Sequence, residues 1–217
     1  VILIHGLLSG SSIWRDILPE MTSDPEVSKR FQFMVFNYPS SYPVIESAAL
    51  LRDQLAAARA KYDPDGNDPI SRNMVVVGHS MGGMLAHSLV TDFGENLWKQ
   101  FSDAPLESLR LPETIRNEIR RLVYFDTDPA VQRAVYLSTP HRGSKMAEKS
   151  IAGMASRVVK LPHDVLRVTG DLFDSGLSKG LNLKSSVDKK ETSIQSLQPG
   201  APMVVAMDAS PHLKRVI

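Results

Sequence analysis

The chain has 217 residues, 42% hydrophobic and 23% charged, which suits one α/β domain with a sizeable core and argues against disorder or a fibrous repeat. Its 25 Lys and Arg balance 24 Asp and Glu for a formal charge of +1, so no basic excess marks it as a nucleic-acid binder. With no cysteine, disulfides, thiolate metal sites and cysteine nucleophiles are excluded while the compartment stays open, and no run of about 18 apolar residues spans a membrane.

Val1-Ile2-Leu3-Ile4 reads as a buried strand without a lead-in, running to His5. Leu213 to Ile217 reads as the opening of another strand, so the expectation is a segment of a longer protein continuing on both sides. After the first strand, Ile13, Trp14, Ile17, Leu18 and Met21 recur at helical spacing, with Ser11 or Ser12 as cap. Gln32–Tyr38 is the second strand. Val44 to Tyr62 forms a helix with Leu51, Leu55 and Ala58 on one face, ended by Asp63-Pro64-Asp65-Gly66. Met74–Gly78 is the third strand, and a helix follows from about Met81 to Phe93 with Leu85, Leu89 and Phe93 in register and Gly94 as C-cap.

Pro112 to Leu122 reads as a charged helix with Ile115, Ile119 and Leu122 facing inward, and Ala134–Ser138 is the fourth strand. This alternation predicts an α/β fold, a mostly parallel sheet with helices on both faces. The whole chain, 1–217, reads as part of one such domain. Residues 145–200 form a helical insertion within it, either a lid over a ligand site or extra packing helices. Between Lys145 and Lys190 nine Lys and Arg face five Asp and Glu, an excess open to two readings, contact with an anionic membrane surface or a solvated helical face.

The strongest chemical signal is Met74-Val75-Val76-Val77-Gly78-His79-Ser80-Met81-Gly82-Gly83, a Gly-x-Ser-x-Gly pattern leaving a strand and entering a helix. A serine on so tight a turn is forced into a strained backbone, and Gly78 and Gly82 let strand and helix approach. The helix N-terminus aims unpaired N–H groups at any oxyanion forming there, so Ser80 is the expected nucleophile; the bland alternative is a serine that merely caps the helix. A second donor comes from the loop after an earlier strand, His5-Gly6-Leu7-Leu8-Ser9-Gly10, which assigns the oxyanion hole to the backbone N–H groups of Leu7 and Met81. His5, at a strand end, is expected to brace its loop rather than act as base, and His79 to point away from the turn. The six histidines are scattered with no metal-ligand spacing, so no metal is expected.

Three segments, Ile4-His5-Gly6-Leu7-Leu8, Gly78 to Gly83, and Leu137-Ser138-Thr139-Pro140-His141-Arg142-Gly143-Ser144, together resemble the α/β-hydrolases of the serine lipase and esterase type. The third is similar to a lipase-like branch that includes the inositol deacylases of GPI anchors. The resemblance implies that Val1–His5 is the third strand of the hydrolase sheet, and that triad acid and histidine follow the nucleophile in that order. The 138–144 loop holds no carboxylate. His141 either lines the pocket or fixes its loop. Asp208 follows Met203-Val204-Val205-Ala206-Met207, which reads either as a strand or, given Ala201-Pro202, as a short helix. His212 stands too near Asp208 to close a triad, so acid and base are expected beyond Ile217, with Asp208, His141 and His212 as fallbacks.

The implied function is hydrolysis of a small carboxylic ester, apolar or lipid-like, through an acyl-enzyme on Ser80, with no cofactor required and no protein partner implied. An acyltransferase or thioesterase would share every residue named, and a binding scaffold that has lost its triad is the rival from another class.

Overall fold

The computed structural model describes residues 1–145 and 193–211. Four strands, β1 (Ile2–Ile4), β2 (Met34–Phe36), β3 (Met74–His79) and β4 (Val131–Leu137), form one parallel sheet in the order β2-β1-β3-β4. The first strand therefore lies inside the sheet, Ile2 to Ile4 pairing with Met34 to Phe36 on one side and with Val76 to Gly78 on the other. Its unbroken apolar run requires that position. Ile2 and Ile4 join the main core, while Leu3, on the opposite face, is equally buried.

The helix α3 (Val44–Tyr62) has the predicted bounds, with Leu51 and Leu55 buried and Ala58 at the edge of the covered face, and the one-turn α4 (Pro69–Arg72) precedes β3. The helix α6 (Glu113–Val123) starts after Pro112, buries Ile119 and Leu122 and packs Ile115 against the core.

Two helical expectations need correction. The segment after β1 is not one helix but a 3-10 turn (Ser11–Trp14) followed by α1 (Ile17–Ser23) and α2 (Pro25–Arg30). Pro19 has no N–H to donate and fits only a first turn, so no helix can run through it from Ile13. Only Trp14 of the expected apolar face is buried; Ile13 and Ile17 are exposed, and neither Ser11 nor Ser12 caps the segment, which begins at Gly10 without a side-chain bond.

After β3, α5 (Met81–Ser88) ends five residues before Phe93, although Leu85, Leu89 and Phe93 are all buried as expected. Its last turn tightens, with Leu89 N–H donating to Ala86 O (3.2 Å) and Val90 N–H to His87 O (3.1 Å). The Arg52 guanidinium, reaching over from α3, donates to the Ser88 carbonyl and to Asp126 O (2.9 Å) and lies 4.5 Å over the Phe125 ring. A side chain thus takes the carbonyl of the last helical residue, and Gly94, expected as the cap of a helix running to Phe93, adopts φ +48° beyond the helix end. Burial lowers the Arg52 pKa to about 10.

The short helix reading of 202–209 holds: α7 (Pro202–Ala209) begins with Pro202 in its first turn and buries Met203, Val204, Ala206 and Met207. The insertion predicted over 145–200 falls outside the described residues except at its ends, as does His212. No described helix is long and apolar enough to cross a membrane.

Candidate active site

Parallel strands deliver their C-terminal ends to one edge of the sheet, and the singled-out residues collect there. Ser80 connects β3 to α5 with φ 52° and ψ −123°, a conformation that side-chain-bearing residues rarely adopt. Its N–H donates to Leu137 O at the end of β4 (2.8 Å), and its carbonyl accepts from Gly83 N–H (3.0 Å). The backbone is thereby fixed on both sides. The hydroxyl makes no capping bond to the helix, so the serine is not simply a cap.

Glycine makes this turn sterically possible. A Cβ added to Gly78 would lie 2.3 Å from Gly82 O, and one on Gly82 would lie 2.3 Å from His5 O and 2.4 Å from Ile4 O. The first turn of α5 is therefore seated directly on the end of β1. A Cβ on Gly6 would come within 2.9 Å of Ser80 Cβ, so the loop after β1 passes against the serine itself. Leu7 follows Gly6, and Met81 follows Ser80. Neither N–H donates to an acceptor among the described residues.

The loop after β1 is held in place by His5. Its buried ring stacks on Tyr38 at a centroid distance of 4.3 Å, contacts Gly6 O through Nδ1 (3.0 Å) and accepts the Tyr38 N–H at Nε2 (3.4 Å). The contacts fit the Nδ1–H tautomer. Tyr38 Oη donates to His5 O (2.8 Å), and burial raises the phenol pKa above its ordinary value. Bracing is what the sequence reading expected of His5. Further on, Leu8 N–H donates to Ser40 Oγ (3.1 Å) and Ser9 Oγ to Gly6 O (2.8 Å).

On the other flank, His141 meets His87 of α5, Nδ1 to Nδ1 at 3.2 Å, with the Tyr136 ring 4.5 Å from its own. This favours the loop-fixing reading of His141. His87 was not singled out from the sequence, where it sits without a motif in an apolar helix; its only signal is a polar residue at a position the helical period buries. Asp208 lies on α7 and faces Arg142 Nε at 3.6 Å, with both side chains largely exposed. No group of three or more His, Cys, Asp or Glu suited to a metal occurs among the described residues.

The family described as the alpha/beta hydrolase family matches residues 1–202. The chain belongs to that family. Its parallel sheet and helices are accordingly those of the α/β-hydrolase fold. Among solved structures, the lipase BlEst2 of Bacillus licheniformis in mature form is similar at 17% identity and a TM-score of 0.47, over 99% of this chain and 60% of that one. The propeptide form of the same lipase is similar at 16% identity and a TM-score of 0.46, over 93% and 30%. The chain thus spans 60% and 30% of the length of these two structures. No curated protein matches.

Proposed function

We propose that the chain carries the nucleophile and oxyanion hole of a serine hydrolase acting on small carboxylic esters of apolar or lipid-like character. The observation that carries this reading is Ser80: a serine with φ 52°, its hydroxyl uncommitted to helix capping, at the C-terminal end of a central parallel strand. A fold holds such strain where it serves a purpose. The N–H groups of Leu7, on the loop after β1, and of Met81, at the start of α5, are uncommitted among the described residues and support the same reading.

In the first half-reaction a general base takes the Ser80 proton, Oγ bonds to the ester carbonyl carbon, and the carbonyl electron pair moves onto oxygen. The N–H groups of Leu7 and Met81 stabilise that oxyanion; loss of one such donor costs about 100- to 1,000-fold in rate. Collapse breaks the ester C–O bond, and the alcohol leaves with the proton held by the base. Water then repeats the sequence on the acyl-enzyme, releasing the acid and restoring Ser80.

The test is labelling of the natural protein with a serine-directed fluorophosphonate, followed by peptide mapping. Label on Ser80, lost in Ser80→Ala, is the expected result. Label that persists in Ser80→Ala transfers the nucleophile elsewhere, and a protein that takes no label is the binding scaffold instead.

A further inference from the structure

Three non-glycine residues have positive φ among those described: Leu8 (52°), Ser80 (52°) and Ser138 (51°). For Ser80 the catalytic reading supplies a reason. Leu8 has none in packing, because its side chain is 60% exposed. An exposed leucine is ordinary on a protein surface, and so is a left-handed residue in a turn, but the combination is not. Glycine or asparagine adopts this backbone at lower cost, and neither would leave an apolar side chain in water. The conformation is also fastened, since Leu8 N–H is held by Ser40 Oγ and the next residue, Ser9, bonds back to Gly6 O.

The place is as specific as the conformation. Gly6 stands against Ser80, a Cβ on it falling 2.9 Å from Ser80 Cβ. Two trans peptide links separate Gly6 from Leu8, which puts Leu8 Cα within roughly 12 Å of Ser80 Cβ. On the β4 side, Leu137 is 37% exposed and its carbonyl accepts the Ser80 N–H. Exposed apolar side chains thus stand on either side of the serine, Leu8 on the loop after β1 and Leu137 at the end of β4.

Resting on the serine-hydrolase reading, we infer that Leu8 is a specificity-determining residue: its strained backbone presents an apolar side chain to the non-reacting hydrocarbon chain of the ester. The contact strengthens with chain length and is absent for acetate esters of short alcohols. It selects apolar esters without touching the reacting atoms, so chain-length preference separates from the chemistry at Ser80.

Three variants of the natural protein test this. Leu8→Asn keeps a residue that tolerates the left-handed backbone and removes the apolar surface, Leu8→Gly removes the side chain, and Leu8→Met retains apolar reach. Each is assayed on two series: p-nitrophenyl acetate against p-nitrophenyl octanoate, and ethyl acetate against octyl acetate. In at least one series the long-to-short ratio of kcat/KM falls about tenfold in Leu8→Asn and Leu8→Gly and stays within about twofold of the parent in Leu8→Met. Ser80 remains open to fluorophosphonate in every variant, and the melting temperature of Leu8→Asn is at or above the parent's. Ratios unchanged in both series overturn the inference, and a lowered melting temperature alongside them makes Leu8 a packing residue. A parent that hydrolyses no ester and takes no label defeats the serine-hydrolase reading, and the role of Leu8 with it.

Discussion

The two glycines after Ser80 are adjacent in sequence but obstructed by different neighbours, which makes their substitution a sharp test of how the turn is built. A Cβ on Gly82 meets backbone, His5 O at 2.3 Å and Ile4 O at 2.4 Å, over 1 Å short of the roughly 3.5 Å at which heavy atoms attract. Both carbonyls are held, Ile4 by a strand paired on both sides and His5 O by the Tyr38 hydroxyl that donates to it (2.8 Å). The helix must retreat from β1 instead. The three atoms nearest a Cβ on Gly83 all belong to the side chain of Thr139, Oγ1 at 1.8 Å and Cβ and Cγ2 at 2.7 Å. Its obstruction can therefore be deleted by a second substitution.

Gly82→Ala is expected to cost about 3 kcal/mol or more even after the roughly 1 kcal/mol that alanine gains in a helix, lowering the melting temperature by about 6–12 °C in a chain of this size. Gly83→Ala is expected to cost about 1–3 kcal/mol, and Thr139→Gly to recover much of it, with a favourable coupling of about 1–2 kcal/mol in a double-mutant cycle. Thr139→Gly recovers nothing for Gly82→Ala. The assay is thermal melting by circular dichroism, with the rate of fluorophosphonate labelling read in parallel. Retreat of α5 by about an ångström misplaces Met81 N–H against Leu7 N–H, and labelling slows by about 100-fold in Gly82→Ala. A Gly82→Ala protein that melts within about 2 °C of the parent, or one rescued by Thr139→Gly, refutes this account of the turn.

Replacing Ser80 by glycine relieves a backbone strain of about 1–3 kcal/mol and gives back about 0.5–1 kcal/mol in chain entropy, a net gain of up to about 2.5 kcal/mol, so Ser80→Gly should melt up to about 10 °C higher while losing all label. A lower melting temperature would show that φ 52° costs nothing there. Tyr136 tests the buried chemistry beside the site: its hydroxyl is buried without a hydrogen-bond partner among the described residues, and burial raises its pKa above the ordinary tyrosine value. Because the folded pKa lies above the unfolded one, the phenol's contribution to stability is complete below about pH 10 and is lost as pH rises further. Melting temperature measured against pH should fall more gently above about pH 10 in Tyr136→Phe than in the parent, with no loss at pH 7. An identical alkaline slope would remove Tyr136 from that account.

What the sequence made legible follows from periodicity and from steric necessity. Val1-Ile2-Leu3-Ile4 has no polar face, which only an interior strand tolerates, and Gly78-His79-Ser80-Met81-Gly82 needs its glycines because backbone approaches within ångströms of where their Cβ atoms would be. Pro202 in a first turn marked α7 in the same way. The failures were tertiary. Nothing local announces that Arg52, thirty-six residues before Ser88, will take the last carbonyl of α5 and end it early. Ile13 and Ile17 keep helical spacing without a surface to cover, so an apolar period there did not mean burial. His87 and His141 are fifty-four residues apart and meet only because the 138–144 loop folds back along α5. A single histidine in an apolar helix carries no trace of its partner.

The distribution of strain joins the fold to its use. Leu8, Ser80 and Ser138 each follow the C-terminal end of a strand, β1, β3 and β4, and no other described residue apart from glycine has a positive φ. Strain of about 1–3 kcal/mol at each is large beside a net folding stability of about 5–15 kcal/mol. Chance placement would scatter such residues over turns at both edges of the sheet, as the glycines at 66 and 94 are scattered. Instead they share one edge, where Ser80 N–H is bound to Leu137 O and Gly6 abuts Ser80. The register between β1, β3 and β4 is therefore what aligns the three strained residues. A slip of one residue in either pairing would turn every strand side chain to the opposite face and part the loop of Leu7 from the turn of Met81. β3 buries alternate residues, Met74, Val76 and Gly78, and that alternation fixes its register, so residues that build the core also set the spacing of the site.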